Sequence, residues 1–292
     1  MKVLMIFTGG TIASQLNGAS ISPVEKSCDI KSRLIEKFFD NYPQFQGNID
    51  FECEFLLNKL SENMKLSDWD RIVRYLLSAD LNLFDAVFIA HGSDTLAYFA
   101  NMLSIFFEKS KTPIFIIASD KVIDDPTANG LINLKSAAEY SLKGNLSGVY
   151  VPYKNQDQLI ILHKGYQITQ SQILGNDFYS LPSKPVYSDE FHGFYKNVLI
   201  LKSYVGADYS YINTNGVDSV LIELYHGATA DFENLSEFTK KARSKNTKVF
   251  AASIISGTDI YETTQKLKES GVQFLYDITL ETAYAALASD IL

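Results

Sequence analysis

The sequence predicts an α/β fold, with a large N-terminal domain built on a mostly parallel sheet flanked by helices and a smaller C-terminal α/β domain. Short runs of β-branched and aromatic residues alternate with longer stretches of helical period, as expected for strands joined by crossover helices. The early runs are nearly continuous in apolar residues, which is typical of strands covered on both faces. At 292 residues, the chain is also too long for one ordinary hydrophobic core.

The first 120 residues contain four predicted strands, at 3–7, 51–57, 86–90 and 114–118. Helices are predicted between them. The clearest covers 95–108, where apolar residues recur at helical spacing and form one stripe that would pack on the sheet. Similar patterns predict helices at 70–77 and 132–140.

The pattern changes after residue 148. Apolar and polar residues alternate through 149–178, which predicts a hairpin or two antiparallel strands at the sheet margin. Two prolines and a glycine mark 181–196 as a connector, so we predict domains at 1–181 and 197–292 with a linker at 182–196. The second domain has its own predicted elements, with strands at 198–201, 219–224, 249–252 and 273–275 and helices at 233–244 and 261–270.

Composition excludes several classes of function. A net charge of -8 argues against a nucleic-acid partner, because phosphate binding needs clustered Lys and Arg. No stretch approaches the roughly 20 apolar residues of a membrane span, and the N-terminal apolar run is too short for a secretory signal. Cys28 and Cys53 lack metal or redox spacing. We therefore expect a cytoplasmic protein with no cysteine-based metal site.

Ligands in open parallel sheets bind beyond the carboxyl ends of the strands, so the loops there are the candidate site. The first predicted strand is followed by Thr-Gly-Gly-Thr at 8–11, where glycines permit positive φ and close approach of backbone amides to a ligand. A tight structural turn explains this loop equally well when it is taken alone. A phosphate loop is excluded, since the required Lys and the G-x-G-x-x-G pattern are absent.

Two further loops carry polar residues. His-Gly-Ser-Asp-Thr at 91–95 leads into the predicted amphipathic helix; a helix cap explains one of these residues but not all of them. His91 itself is predicted to be structural. Ser61 and Glu62 follow the second strand and, taken alone, are typical of a solvated loop. Together, the carboxylates of Glu62 and Asp94 would suit the ammonium group of a small amino acid.

The candidate chemistry relies on hydroxyl groups. The four histidines show no metal-ligand spacing, and the G-x-S-x-G elbow of hydrolases is absent. A hydroxyl nucleophile needs a nearby base and donors for the oxyanion formed in acyl transfer. Thr11 follows two glycines whose amides could serve as those donors.

Residues 8–13, Thr-Gly-Gly-Thr-Ile-Ala, resemble the first signature of the bacterial-type L-asparaginase family, and residues 91–95 resemble its second. The pair in this order is highly specific. Weaker similarities run through both domains: 61–64 resembles the family's substrate-carboxylate loop, 130–134 its G-x-x-N-L run and 277–287 its closing helix.

The resemblance implies hydrolysis of the side-chain amide of asparagine, with glutamine as an alternative substrate, to the acid and ammonia without a cofactor. Thr11 matches the family nucleophile, which forms an acyl-enzyme. Ser93 matches a family threonine, and Asp94 its acidic partner, in the step that opens this intermediate with water. Ser61 and Glu62 match residues that hold the α-carboxylate and α-amino groups. The family also implies a homotetramer, or a homodimer, whose sites are closed by a neighbouring subunit.

The sequence departs from the family pattern at several positions. The lysine that activates the second hydroxyl follows a threonine in the family, and the best match here is Thr169 followed by Gln170, which carries no charge. Lys164 lies nearby in sequence and could substitute. The loop at 14–23 lacks the family's tyrosine, for which Ser20 or Ser22 could substitute. The small domain has Gly-Ala-Thr-Ala at 227–230 where the family has an asparagine.

Three functional hypotheses follow. The first is an asparaginase-like amidohydrolase that uses Thr11. The second is a degenerate homologue that binds an amino acid with little turnover, because the cation near Ser93 is missing. The third is a nucleotide-binding α/β protein that uses the glycine turn, which the absence of phosphate-binding residues disfavours.

Overall fold

The computed structural model describes residues 1–24, 27–172, 174–258 and 260–292, and the side chains of Ser27, Cys28, Ser32 and Ser253 lie outside this description. The described residues form two compact units, 1–180 and 181–292. Both are α/β, which confirms the predicted fold class. The predicted linker at 182–196 contains no helix or strand among the described residues, and its role as a domain boundary stays a prediction.

The first unit is built on a six-stranded sheet in the order β4-β1-β5-β6-β7-β8. All neighbouring strands in it run parallel except β7 and β8, which are antiparallel. Its strands are β1 (Lys2–Gly9), β4 (Asp50–Lys59), β5 (Ala86–Ala90), β6 (Ile114–Ile117), β7 (Val149–Lys154) and β8 (Ile160–Lys164), and two small hairpins add β2 (Ser14–Asn17) with β3 (Ser20–Pro23) and β9 (Ile168–Thr169) with β10 (Tyr179–Ser180).

Helices cover both faces of this sheet. They are α1 (Ser27–Lys31), α2 (Lys37–Asn41), α3 (Leu66–Ser78), α4 (Leu96–Phe107) and α5 (Gly130–Lys143), and a π-helical turn, Ser32–Glu36, joins the first two. In β1, Met5 and Phe7 point to one face and Leu4 and Ile6 to the other, as the two-residue period of a strand requires. All four side chains are buried. The continuous apolar runs of the sequence therefore reflect a sheet that is covered on both sides.

The second unit contains a four-stranded parallel sheet in the order β11-β12-β13-β14. Its elements are β11 (Val198–Lys202), β12 (Ser219–Glu223), α6 (Phe232–Arg243), β13 (Lys248–Ile254), α7 (Glu262–Ser270), β14 (Gln273–Tyr276) and α8 (Leu280–Ala288). Two buried apolar clusters pack on this sheet, one built on Val220 and Leu235 and the other on Leu221 and Leu287. Each covers a different face, because Val220 and Leu221 are adjacent in one strand.

Candidate active site

Three loops meet at the carboxyl edge of the first sheet. Each follows a strand and begins with a single 3-10 turn: Thr11–Ala13 after β1, Ser61–Asn63 after β4 and Ser93–Thr95 after β5. Because β1 lies between β4 and β5, topology alone brings the three loops together.

Glycines let the backbones of these loops touch. Gly10 has φ +79°, and a Cβ added there would overlap the Cα of Gly92. A Cβ added at Gly92 would in turn overlap the side chain of Ser61. The two glycines are therefore needed for close approach between loops, which is a stronger requirement than that of an ordinary turn.

A buried hydrogen-bond network links the same loops. His91 is fully buried, its Nδ1 lies 2.8 Å from Thr8 Oγ1, and its Nε2 lies 3.2 Å from Thr95 Oγ1. The Thr8 hydroxyl also donates to the carbonyl of Ala90 at 2.8 Å, and Thr95 Oγ1 lies 3.3 Å from the carbonyl of Ser61. The prediction that His91 is a structural residue is confirmed.

The predicted site residues border this meeting point with different degrees of exposure. Ser61 is buried, Thr11 and Ser93 are half-buried, and Glu62 and Asp94 are exposed. Among the described residues, the hydroxyls of Thr11 and Ser93 and the carboxylate of Asp94 have no hydrogen-bond partner on the protein. These polar groups are thus available to a ligand.

Hydrogen bonds to the carbonyl of Gly10 stabilise the turn that carries Thr11. Ser14 Oγ donates to the carbonyl of Gly10 at 2.8 Å, and the amide of Ala13 donates to the same oxygen at 3.0 Å. The Gly10 amide donates to Lys59 O at 2.8 Å. The expectation that the Gly10 amide stabilises an oxyanion is therefore wrong, because its proton is already in a hydrogen bond to Lys59. The amides of Thr11 and Ser93, each at the start of a helical turn, remain candidate donors.

The chain also matches a known family. A family model described as "Asparaginase, N-terminal" matches residues 2–188. The chain belongs to the asparaginase family. This result confirms the resemblance inferred from the motifs at 8–13 and 91–95, which both fall within the matched range.

Relatives of known name agree with this membership. The chain is 26% identical over 326 aligned positions to a glutamyl-tRNA(Gln) amidotransferase subunit of Sulfurisphaera tokodaii, and the alignment covers 98% of this chain and 69% of that protein. The corresponding protein of Aeropyrum pernix is 24% identical, with 98% and 74% covered.

Solved asparaginases share the fold. The thermostable L-asparaginase of Thermococcus kodakarensis superposes with a TM-score of 0.75 at 22% identity, covering 100% of this chain and 93% of that one. L-asparaginase I of Vibrio cholerae gives a TM-score of 0.75 at 21% identity, with 99% and 92% covered. At these identities the likeness concerns the fold alone.

Gln170 lies beside the second asparaginase signature. Its Nε2 donates to the carbonyl oxygen of Asp94 at 2.6 Å. The preceding β9 is attached to α4, because Asn101 Nδ2 donates to Ile168 O at 2.7 Å and to Ala97 O at 2.8 Å. The neutral amide of Gln170 is therefore held next to Ser93 and Asp94.

The expectation that Lys164 could supply the missing cation is wrong. Lys164 ends β8 opposite Tyr150, near the start of β7, and its Nζ lies 3.8 Å from Glu108 Oε1. Glu108 follows the C-terminus of α4, while Ser93 precedes the N-terminus of that helix. Twelve residues at 1.5 Å each place the two ends about 18 Å apart. Lys164 thus lies at the opposite edge of the sheet from Ser93.

The loop at 14–23 forms a β-hairpin. Ser20 and Ser22, the suggested substitutes for the family's tyrosine, pair with Asn17 and Gln15 in that hairpin. In the part of the chain that the structure describes, neither hydroxyl has a hydrogen bond to Thr11. Arg33 Nη1 donates to Gln15 Oε1 at 2.8 Å and ties the hairpin to the helical segment that follows it.

The turn at 227–230 of the second unit is a packed structural turn. Ala228 and Ala230 are buried, and Ala228 adopts φ +58°. Thr264 Oγ1 donates to the carbonyl of Ala228 at 2.8 Å. The buried methyl group of Ala230 therefore supplies no polar contact to a substrate.

Two supporting residues, Thr8 and Asn101, are not among the predicted site residues. Thr8 stands in the sequence as part of a glycine turn, yet its hydroxyl contacts both Ala90 and His91. Asn101 is fully buried in an otherwise apolar helix. A buried amide needs a partner, so a single Asn within the apolar pattern was a usable signal for a contact to the β9 segment.

The described residues show neither a metal cluster nor a membrane-spanning helix. Within the ranges that the structure describes, no three His, Cys, Asp or Glu side chains cluster as metal ligands would. No helix in those ranges combines the length and the apolar character needed to cross a bilayer.

Proposed function

We propose that the chain hydrolyses the side-chain amide of a small amino acid, asparagine or glutamine, with Thr11 as nucleophile. The observation that supports this proposal is the close approach of Gly10 to Gly92 and of Gly92 to the Ser61 side chain. Gly10 and Gly92 are the neighbours of Thr11 and Ser93 in sequence. Family membership supports amide hydrolysis as the reaction class.

The proposed reaction has two steps. The Thr11 hydroxyl attacks the amide carbon and passes its proton to the departing nitrogen, so that ammonia leaves and an ester to Thr11 Oγ1 remains. Water then attacks the ester carbon, its proton returns to Thr11, and the acid is released. Ser93 and Asp94 handle the water in the second step, while Ser61 and Glu62 bind the α-carboxylate and α-amino groups.

The names of the similar proteins indicate asparagine and glutamine as the substrates to test. The solved structures that share the fold are L-asparaginases, whereas the curated relatives are subunits of a glutamyl-tRNA(Gln) amidotransferase. Asparagine and glutamine are therefore both candidates. An ammonia-release assay on L-asparagine, L-glutamine and their D-forms, compared with Thr11→Val, tests the proposal; equal release by the variant contradicts it.

A second function is supported by Gln170. An amide in hydrogen-bond contact with Asp94 supplies no positive charge to lower the pKa of the Ser93 hydroxyl. A chain with this defect would bind an amino acid and turn it over slowly. Tight calorimetric binding of aspartate without ammonia release supports the binding protein, and measurable turnover supports the enzyme.

The cytoplasmic location and the assembly into a homotetramer or homodimer stay predictions. Sedimentation analysis tests the oligomeric state.

A further inference from the structure

His91 connects the three loops of the candidate site. Its ring contacts Thr8, just before the glycine turn, and Thr95, just after Ser93 and Asp94. Thr95 in turn lies against the carbonyl of Ser61. The ring is stacked on Phe99 of α4, with centroids 4.1 Å apart and planes 14° apart. One rigid side chain thus contacts both signatures.

The hydrogen bonds of Thr8 determine which ring nitrogen carries the proton. A carbonyl oxygen only accepts, so the 2.8 Å contact from Thr8 Oγ1 to Ala90 O uses the single hydroxyl proton of Thr8. The equally short contact to His91 Nδ1 then requires Nδ1 to be the donor. Thr95 has one hydroxyl proton and two acceptors within reach, the Ser61 carbonyl at 3.3 Å and His91 Nε2 at 3.2 Å. In a neutral ring that carries its proton on Nδ1, Nε2 accepts the Thr95 proton. The network therefore fits the neutral Nδ1–H tautomer.

Burial keeps the ring neutral. Among the described residues no carboxylate contacts the imidazole, and burial lowers the pKa of His91 from 6.5 to about 3. A charged ring would donate from both nitrogens and would turn the Thr95 proton towards the Ser61 carbonyl, and desolvation disfavours that charged form. The ring is unsuited to proton exchange with a substrate at neutral pH.

We propose that His91 is a positioning residue, which in its Nδ1–H tautomer holds the turn of Thr11 and the turn of Ser93 at a fixed separation. This inference rests on the proposed function. Its consequence is that losing the Thr8–His91 contact misplaces the two hydroxyls relative to each other, although neither Thr8 nor His91 touches substrate.

Substitutions at Thr8 test this role in kinetics. Thr8→Val keeps the shape and removes the hydroxyl, so kcat is expected to fall about 10- to 100-fold, since misplacement by about 1 Å costs that much. KM is expected to change less than kcat, because the loop of Ser61 and Glu62 is joined to His91 only through Thr95. Thr8→Ser restores the hydroxyl and most of the rate. A wild-type kcat in Thr8→Val overturns the proposal.

A matched control separates positioning from stability. His163 is also buried, its Nδ1 lies 2.8 Å from Ser180 Oγ, and it belongs to β8, which two strands separate from β5 in the sheet. His163→Phe removes a buried imidazole and is expected to lower the melting temperature without changing kcat. An equal loss of kcat in His163→Phe and Thr8→Val would show a general stability effect and would overturn the positioning role.

Nuclear magnetic resonance tests the inference without turnover. The ¹⁵N shifts and long-range couplings of the His91 ring are expected to show protonated Nδ1 and unprotonated Nε2, and the backbone amides of Ser93 and Asp94 should shift in Thr8→Val but not in Thr8→Ser. A protonated Nε2, or unmoved amides, overturns the inference. Absence of ammonia release by the wild type would refute only the proposed function.

Discussion

The side-chain amide of Gln170 donates a 2.6 Å hydrogen bond to the backbone carbonyl of Asp94. Gln170 also lies next in sequence to β9, which Asn101 attaches to α4. Gln170, the position that we match to the family's lysine, is thus in contact with the second signature, and its side chain is neutral. The rate of the second chemical step is expected to be sensitive to this residue.

Gln170→Lys is expected to raise the turnover number if a missing cation limits the rate. A positive charge near Ser93 lowers the pKa of a hydroxyl and stabilises negative charge on an attacking oxygen. We expect an increase of about tenfold or more in ammonia release. Gln170→Met is the matched control, because it has similar length and no charge; equal rates in both variants would argue against the missing cation.

Thr11→Val and Thr11→Ser test the nucleophile. Loss of the hydroxyl is expected to reduce turnover by on the order of 10³ or more, as for other nucleophiles of acyl transfer. Thr11→Ser keeps the hydroxyl and should retain measurable activity. Since Thr11 is half-buried and has no protein hydrogen-bond partner among the described residues, the free energy of unfolding should change by about 0.5 kcal/mol or less. Urea unfolding curves check the second point.

Gly10→Ala tests the backbone contact that joins the two signature loops. A Cβ at Gly10 would overlap Gly92, whereas Gly18, with φ +63°, has no heavy atom within 4 Å of such a Cβ. Both substitutions place Ala at a positive φ, which costs on the order of 1–3 kcal/mol, and Gly10, with ψ 177°, lies in a region that essentially only glycine occupies. Gly10→Ala adds overlap and should cost a further 1–3 kcal/mol or so. Similar melting temperatures for the two variants would show that the loops separate easily.

The two buried histidines make stability depend on pH. Burial lowers the pKa of His163 from 6.5 to about 4 and that of His91 to about 3, so both stay neutral in the folded chain while the unfolded chain binds protons below pH 6.5. The free energy of unfolding therefore falls as the pH decreases from about 6.5 towards the folded-state pKa of each histidine, by up to about 1.4 kcal/mol per pH unit for each histidine.

His163→Phe isolates one of these contributions. Between pH 6 and pH 5, the wild type should lose about 1 kcal/mol more unfolding free energy than His163→Phe, because the variant lacks one proton uptake on unfolding. Carboxyl groups that titrate in the same range contribute equally to both proteins and cancel. The unfolding free energies of the two proteins are measured by urea unfolding at several pH values. If they change with pH in the same way, His163 is charged, or equally titratable, in the folded state.

Much of the first sheet could be predicted from sequence, because buried parallel strands have continuous apolar runs. The strand predicted at 86–90 has the observed bounds, and the helix predicted at 95–108 is observed as Leu96–Phe107. The predicted antiparallel margin corresponds to β7 with β8 and to the β9–β10 hairpin. The hairpin at 14–23 is not predictable from hydrophobic pattern, since its residues are mostly exposed and polar.

The candidate site was less predictable than the fold. The motifs identified the three loops, but the partner of each polar group depends on three-dimensional contacts that spacing does not encode. Lys164 is an example. It precedes Gln170 by six residues in the sequence, yet it lies beside Glu108. The reason is that β8 runs antiparallel to β7 and ends opposite the start of β7, at the edge of the sheet away from the three loops. Likewise, the amide of Gly10 is used by Lys59 from a neighbouring strand.

Ammonia release from asparagine and glutamine tests the central claim most directly. Purified wild-type chain and Thr11→Val are measured side by side at equal concentration, after circular dichroism has shown that both are folded. We expect release by the wild type on at least one of the two amino acids and none above background by the variant. Equal rates from the two proteins would contradict Thr11 as nucleophile, and no release by either would contradict hydrolysis of these amides.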